Sequence, residues 1–181
     1  PVRHDPLLNL RQSQHKAEMA DRPLNSDELG EKGEKRFGEI CADARLIANP
    51  ANRDRAGWDY VVDFPLLGEI RNLDSRPAPI SARIQVKTQW SDQRLVKLRL
   101  SSAERLVKYN GPSFICVLSV GADLQFIGMQ ILHCRGELVA RVLKRLRQAE
   151  FRGERPNDVW VSIDPKKYAA SVPVHHTDLR T

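Results

Sequence analysis

The amino-acid sequence predicts an α/β fold in which a mixed central β-sheet is flanked by helices. Some segments alternate apolar and polar residues, others repeat apolar residues at helical spacing, and residues 114–120 form a continuous apolar run of strand length. The predicted order is helix, three strands, helix, two strands, helix, strand. Since helices and strands do not alternate regularly, we expect a mixed sheet in which the first three strands form a meander.

The first predicted helix begins near Ser26, in the segment NSDELGEKGEKRFGEICADARLI. Its apolar face repeats at helical spacing through Leu29, Gly33, Phe37, Ile40 and Ala44. Glycines at positions 30, 33 and 38 each cost a helix interior up to about 1 kcal/mol relative to alanine. Such a cost predicts that another backbone or a ligand approaches this helix closely. The segment NPANRDRAG that follows is rich in Asn, Pro and Gly and is predicted to be a loop.

Three strands are predicted next, in WDYVVDF (58–64), SARIQVKTQW (81–90) and RLVKLRL (94–100). In the second of these, one face is mostly apolar and the other is entirely polar, carrying Arg83, Gln85, Lys87 and Gln89. That polar face is either solvated or binds something.

The second half of the chain predicts two further helices and three strands. Ser101 and Glu104 have capping-box spacing, which predicts a short helix through about Tyr109. A central buried strand is then predicted in FICVLSV, and another strand in DLQFIGMQI. An amphipathic helix is predicted in GELVARVLKRLRQAEF, and the final strand in DVWVSID.

The domain is predicted to span residues 26–165, between an arm or linker at 1–25 and a tail or linker at 166–181. No apolar run approaches the roughly 20 residues that a membrane span requires, and residues 1–25 lack the apolar core of a signal peptide. We therefore expect a cytoplasmic protein with no membrane partner. Cys41 and Cys116 lie in apolar surroundings and are expected to be buried thiols.

The net charge of +6 favours an anionic partner, although many ordinary proteins carry as much. Lys144 and Arg145, in the last predicted helix, are candidate phosphate contacts, and the alternative is a solvated helix face. Arg53 and Arg55, just before the first strand, are better placed candidates. The sequence contains no pattern typical of a base-reading helix, so low sequence selectivity is expected.

Four polar residues stand out as candidates for chemistry: Glu34 in the first helix, Asp59 at the start of a strand, and Gln85 and Lys87 on the next strand. Taken one at a time, each has an ordinary alternative interpretation as a solvent-facing residue. Asp63 shares a face with Asp59, but its position further along the strand favours a surface role.

Together these residues resemble the PD-(D/E)XK superfamily, the restriction-endonuclease-like nucleases. The matching pieces are Glu34 in KGEKRF, Asp59 in GWDYVVDF, and Gln85 with Lys87 in IQVKTQ, in the order helix, strand, strand, helix, apolar strand. The resemblance covers residues 26–165. Within the superfamily, the chain more specifically resembles the Mrr-like and Holliday-junction-resolvase-like branches and the nuclease effector domains of bacterial anti-phage proteins. It implies a core of the order helix-β-β-β-helix-β.

The resemblance also implies a Mg²⁺ site in which Mn²⁺ can substitute. Asp59 would be the central ligand, the Gln85 amide oxygen and the Val86 main-chain carbonyl would complete it, and Glu34 would act through the water shell or a second metal. Lys87 would orient or help to deprotonate the attacking water and stabilise the transition state. The superfamily usually has Asp or Glu at position 85, so the glutamine predicts weaker metal binding.

The function predicted from this resemblance is a metal-dependent endonuclease that acts on DNA, most simply double-stranded, with low sequence specificity. It would serve as the effector domain of a larger anti-phage protein and be controlled by homodimerisation or higher oligomerisation. The alternatives are a structure-selective junction resolvase, a nucleic-acid-binding module that no longer cleaves, and a protein-interaction domain whose polar face is only solvated.

Overall fold

A six-stranded mixed sheet and a separate two-stranded sheet organise the parts of the chain that the computed structural model describes, residues 22–51, 57–65 and 78–172. The helices are α1 (Ser26–Asp43), α2 (Leu100–Val107), α3 (Glu137–Phe151) and α4 (Pro165–Tyr168). The strands are β1 (Ile47–Pro50), β2 (Tyr60–Phe64), β3 (Ile80–Trp90), β4 (Val96–Arg99), β5 (Ser113–Val120), β6 (Phe126–His133), β7 (Trp160–Ile163) and β8 (Ala169–Val172). The predicted fold class, an α/β fold with a mixed central sheet flanked by helices, is confirmed.

The main sheet has the strand order β1-β2-β3-β5-β6-β8. β3 and β5 run parallel, and the other neighbouring pairs run antiparallel. The parallel pairing is reached through α2, which lies between these strands in the chain. Within the main sheet the order is helix, three strands, helix, strand, but the three strands are β1, β2 and β3, whereas the predicted set was β2, β3 and β4.

Two hydrophobic cores lie on opposite faces of this sheet. α1 packs Phe37 and Ile40 onto the face formed by Val62, Ile84 and Val86. The other face is covered by α2, α3 and the β4–β7 ribbon, which enclose a second core. β5 supplies both cores in alternation, with Cys116 and Leu118 on the α1 side and Ile115 and Val117 on the other. This explains why its sequence is continuously apolar, as expected for a central strand.

The observed meander contains different strands from the predicted one. The chain leaves the main sheet after Trp90, and β4 pairs with β7 in the second sheet, because Val96 and Leu98 face the second core. The meander is instead completed by β1, which falls in a stretch predicted as helix and loop. α1 ends there because Arg45 adopts a left-handed conformation, with φ of 56°. β1 is an edge strand with exposed side chains, so it has no apolar alternation in its sequence.

Two predicted details of the later elements are wrong. Ser101 and Glu104 do not form a capping box, because the N-cap of α2 is Arg99, two residues before Ser101, and no side chain caps the helix there. Glu104 binds Lys108 Nζ instead. β7 is not the final strand, since β8 pairs with β6 and closes that side of the sheet. The interpretation of residues 166–172 as tail is thus wrong, whereas 173–181 lie outside the described residues.

The N-terminal boundary also lies earlier than residue 26. Asn25 caps α1 and forms a reciprocal capping box with Glu28, and Arg22 binds Asp92 at 2.7 Å. Cys41 and Cys116 are buried and free, as expected. Among the described residues, no helix combines the length and the apolar character needed to cross a membrane.

Gly33 accounts for one of the three glycines in α1. A Cβ at this position would overlap Thr88 Oγ1, so the glycine allows the helix to approach β3 closely. A Cβ at Gly30 would meet no atom within 4 Å. The predicted close approach therefore holds at Gly33, and the neighbour is a strand of the same chain.

We expect Gly33→Ala to lower the free energy of unfolding by about 1–3 kcal/mol, the usual cost of overpacking, partly offset by the better helix propensity of alanine. Gly30→Ala is the matched control and should raise stability by up to about 1 kcal/mol. Urea denaturation measures both. Equal effects of the two substitutions would show that Thr88 moves aside without cost.

Candidate active site

A cleft of about 330 Å³ opens where β2 begins beside the middle of β3. It brings together four residues singled out in the sequence: Glu34, Asp59, Gln85 and Lys87. The rest of its lining comes from the segments flanking β2, from α2 and from the second sheet: Pro50, Ala51, Gly57, Trp58, Tyr60, Leu98, Arg99, Ser102 and Trp160.

Asp59 is fixed by both its main chain and its side chain. Its N–H donates to the Ile84 carbonyl at 2.8 Å, and its carbonyl accepts the Ala51 N–H at 2.8 Å. Its carboxylate oxygen Oδ2 accepts the Val86 N–H at 2.7 Å and the Gln85 Nε2 at 2.6 Å. Both of these side-chain bonds end on Oδ2, so within the described residues Oδ1 is the carboxylate oxygen that can bind a ligand in the cleft.

Burial raises the pKa of Asp59 above its ordinary value. The Val86 N–H, the nearby Lys87 ammonium and the Gln85 amide all act in the opposite direction, but they do not outweigh the loss of solvent. The folded protein therefore holds the ionised carboxylate less favourably than water does. A cation bound in the cleft would favour the ionised form.

Gln85 is buried, and its amide faces the carboxylate. Its Nε2 donates to Asp59 Oδ2 and also lies 3.3 Å from the Val86 carbonyl oxygen. A half-turn about the last side-chain torsion would bring Oε1 toward the same position, where it could serve as a ligand.

Lys87 and Glu34 complete the set from two directions. Lys87 lies two residues beyond Gln85 on the same face of β3, close enough to lower the pKa of Asp59. Glu34 is exposed on α1, and its main-chain carbonyl accepts the Tyr60 hydroxyl at 3.0 Å. Burial, and then the charges of Glu34 and Asp59, raise the pKa of Tyr60, so both carboxylates lie near this ring.

The oxygen donors of the cleft fit a hard divalent cation. Among the described residues, no group of three or more His, Cys, Asp and Glu side chains is positioned to hold a metal. The available donors are instead two carboxylates, an amide and a main-chain carbonyl. Mg²⁺ binds through one or two carboxylates and keeps several waters, so Asp59, Gln85, Val86 and Glu34 are compatible with it.

An aromatic stack holds the residue next to Asp59. The Arg83 guanidinium lies 3.7 Å from the ring centroids of both Trp58 and Tyr109. Arg83 shares the polar face of β3 with Gln85 and Lys87, so the stack ties the segment before β2 to β3 and to the end of α2. Trp90 packs with Leu29 and Val120. Trp58 and Trp90 thus both pack against other parts of the fold.

The basic residues expected to bind phosphate lie apart from this cleft where the structure describes them. Lys144 is exposed on α3, and Arg145 pairs with Glu154 at 3.2 Å. Neither lines the cleft. Arg53 and Arg55 lie outside the described residues. Asp63 accepts hydrogen bonds from Asn49 and Ser81, which agrees with its exclusion from the set of ligands.

Three residues of the cleft had no role in the sequence interpretation: Arg99, Ser102 and Trp160. Arg99 ends β4 and Trp160 begins β7, and the two residues are directly paired across this ribbon. Their alternation with buried neighbours indicated only that they point outward. Arg99 and Trp160 reach the cleft through the pairing of β4 with β7, which local sequence does not reveal.

We expect Asp59→Asn to raise the thermal stability of the metal-free protein at pH 7. Because the folded-state pKa is raised, the stability contributed by this group is present below its unfolded pKa and is lost as pH rises through the folded pKa. Asparagine removes that loss, so the gain should shrink as the solution is acidified. Thermal melts in EDTA across pH measure it, with Asp63→Asn as the control that should not gain stability. A lower melting temperature for Asp59→Asn at pH 7 would contradict this account.

Comparisons with known proteins add no support to the resemblance to PD-(D/E)XK nucleases. The chain matches no protein-family model, no curated protein and no solved structure. The link to PD-(D/E)XK nucleases is therefore carried by Glu34, Asp59, Gln85 and Lys87 and by the order of the elements that hold them.

Proposed function

We propose that this chain is a metal-dependent nuclease of the PD-(D/E)XK type that hydrolyses phosphodiester bonds in DNA. The observation that carries the proposal is the arrangement of Asp59 against Val86 and Gln85, with Lys87 next on the same face and Glu34 in the same cleft. The topology supports it as well, since α1, the β1–β3 meander, α2 and a β5 parallel to β3 follow the order that the resemblance implies.

A bound Mg²⁺ would neutralise charge on the scissile phosphate and lower the pKa of the attacking water. Asp59 would hold it through Oδ1, with Gln85 Oε1 after the amide turns, the Val86 carbonyl and Glu34 as the further oxygen donors. The Lys87 ammonium donates hydrogen bonds to the phosphate oxygens as negative charge grows on them during attack. Glu34, nearer to solvent, accepts a hydrogen bond from the water and orients it toward phosphorus.

The wider biological role rests on the resemblance. Nuclease effector domains of anti-phage proteins act on DNA in the cytoplasm and are held inactive until they assemble, and we extend both features to this chain. The structure describes one chain, so homodimerisation and further domains are part of the proposal.

A second function is favoured by one observation. Gln85 brings no charge to a position where a carboxylate is usual in the superfamily that the chain resembles. A module that binds nucleic acid without cutting it would have this feature. It would bind DNA in EDTA and leave it intact in both Mg²⁺ and Mn²⁺.

We expect Lys87→Ala to lower the cleavage rate about 10²- to 10³-fold, because it removes a preorganised charge at the phosphate. Plasmid, linear double-stranded DNA and single-stranded DNA would each be incubated with Mg²⁺, Mn²⁺ or EDTA. Lys35→Ala is the matched control, since it removes the same charge from an exposed position on α1 outside the cleft. Cleavage by Lys87→Ala at the wild-type rate would overturn the assignment of the site. Binding without cleavage by the wild type would favour the second function.

We expect Gln85→Glu to lower the Mg²⁺ concentration needed for half-maximal cleavage, because the substitution adds a charged ligand. In EDTA the variant should melt at a lower temperature than the wild type, since a second carboxylate then lies beside Asp59. Mg²⁺ should restore the melting temperature.

Gln89→Glu is the control for this substitution. Gln89 is also buried on β3, but it binds the Gln93 carbonyl outside the cleft. A glutamate there should destabilise the protein with no rescue by Mg²⁺. Equal rescue of both variants would show that the metal does not bind at Asp59.

A further inference from the structure

The wall of the cleft formed by the second sheet carries an exposed aromatic ring and a cation. Trp160 is 49% exposed, whereas its neighbour Val161 is buried in the second core. The Arg99 guanidinium lies 4.8 Å from the centre of the Trp160 ring. Arg99 Nη1 also donates to the Asn157 carbonyl at 2.6 Å, which holds the guanidinium beside the ring.

Trp160 presents a half-exposed apolar ring among the polar side chains of the cleft, where a bound molecule can contact it. The hydrogen-bond acceptor that the structure describes for Arg99 is a neutral carbonyl, so its positive charge is not neutralised by that contact. An aromatic face beside an available cation suits a nucleotide, which offers a flat base and an anionic phosphate.

We infer that Trp160 and Arg99 bind an unpaired nucleotide, with the base stacked on the indole and its phosphate bound by the guanidinium. This inference rests on the proposed function for the identity of the cleft as a phosphodiester site. Because Trp160 and Asp59 line the same cleft, the stacked nucleotide lies next to the phosphodiester that is cut.

The geometry selects the form of the substrate. In a duplex, each base is covered on both faces by its neighbours, so an indole reaches a base only after that base has left the stack. Extruding a paired base costs a few kcal/mol, whereas a base in a single strand is already accessible. The substrate is therefore DNA with single-stranded nucleotides at the site, such as a single strand, a flap or a frayed end.

Binding is the direct test, and it can be measured in EDTA, where no cleavage occurs. Fluorescence anisotropy would compare a labelled oligothymidylate of about 12 nucleotides, within the range of site sizes of single-strand-binding domains, with a blunt-ended duplex of equal length. We expect the wild type to bind the single strand more tightly. Trp160→Ala should weaken single-strand binding about 5- to 150-fold, the fold-change that corresponds to the loss of one stacked base, and should leave duplex binding nearly unchanged.

Two controls separate stacking from other effects. Trp160→Phe keeps a ring and should retain most of the affinity. Phe151→Ala removes an aromatic side chain that is 92% exposed at the end of α3, outside the cleft, and should change nothing. An oligonucleotide made of abasic nucleotides should bind the wild type and Trp160→Ala equally, since it offers no base to stack.

The outcomes distinguish this inference from the proposed function. Equal single-strand affinity for the wild type and Trp160→Ala would overturn the inference, as would a loss shared equally by single strand and duplex. Cleavage that depends on Lys87 would then still support the nuclease. Conversely, single-strand binding that depends on Trp160 with no cleavage in any metal would support the inference and overturn the nuclease proposal.

Discussion

The candidate site depends on the hydrogen bond from the Val86 N–H to the Asp59 carboxylate. The antiparallel ladder between β2 and β3 ends at the pair Tyr60 and Ile84, although β3 continues for six more residues. Beyond that pair, β3 has no main-chain partner on β2. The Asp59 carboxylate accepts the Val86 N–H there instead. The end of a short strand beside a longer one therefore places a carboxylate, an amide and a main-chain carbonyl together. Burial at this position raises the pKa of Asp59, although the Val86 N–H lowers it. Carboxylates with a shifted pKa are concentrated at functional sites.

Much of the fold could be predicted because strong local patterns agreed with their environments. α1, β3, β5 and α3 each bury a face or a run that their sequences mark clearly. β1 and β8 could not be found in this way, because an edge strand owes its structure to main-chain pairing with a neighbour and needs no apolar alternation. The pairing partner of β4 could not be predicted for a related reason. Its alternation shows that one face is buried but cannot say whether the main sheet or β7 provides its partner.

The residues of the candidate site likewise divide into those that local sequence predicts and those that only the tertiary fold brings together. Asp59, Gln85 and Lys87 could be found because they lie on neighbouring strands within about thirty residues of chain, where short-range pairing brings them together. Glu34 required the helix to pack over the sheet, which its glycines suggested and Gly33 explains. Arg99 and Trp160 are far apart in sequence and meet through a ribbon that no local pattern predicts. Charge density along α3 does not reveal internal partners such as Glu154, which binds Arg145.

The pairing of β8 with β6 has a consequence for how this protein can be shortened. Residues 169–172 occupy the outer edge of β6 along Met129–Leu132, so they cover main-chain N–H and C=O groups that would otherwise be open. A fragment ending at residue 165, where the sequence alone places the boundary, would keep both cores but expose that edge. An uncovered edge of a β-sheet recruits strands from other molecules, so such a fragment would tend to self-associate and aggregate. β8 is itself an edge strand, but at four residues it is half as long as β6, and a short edge offers fewer open main-chain groups to another molecule.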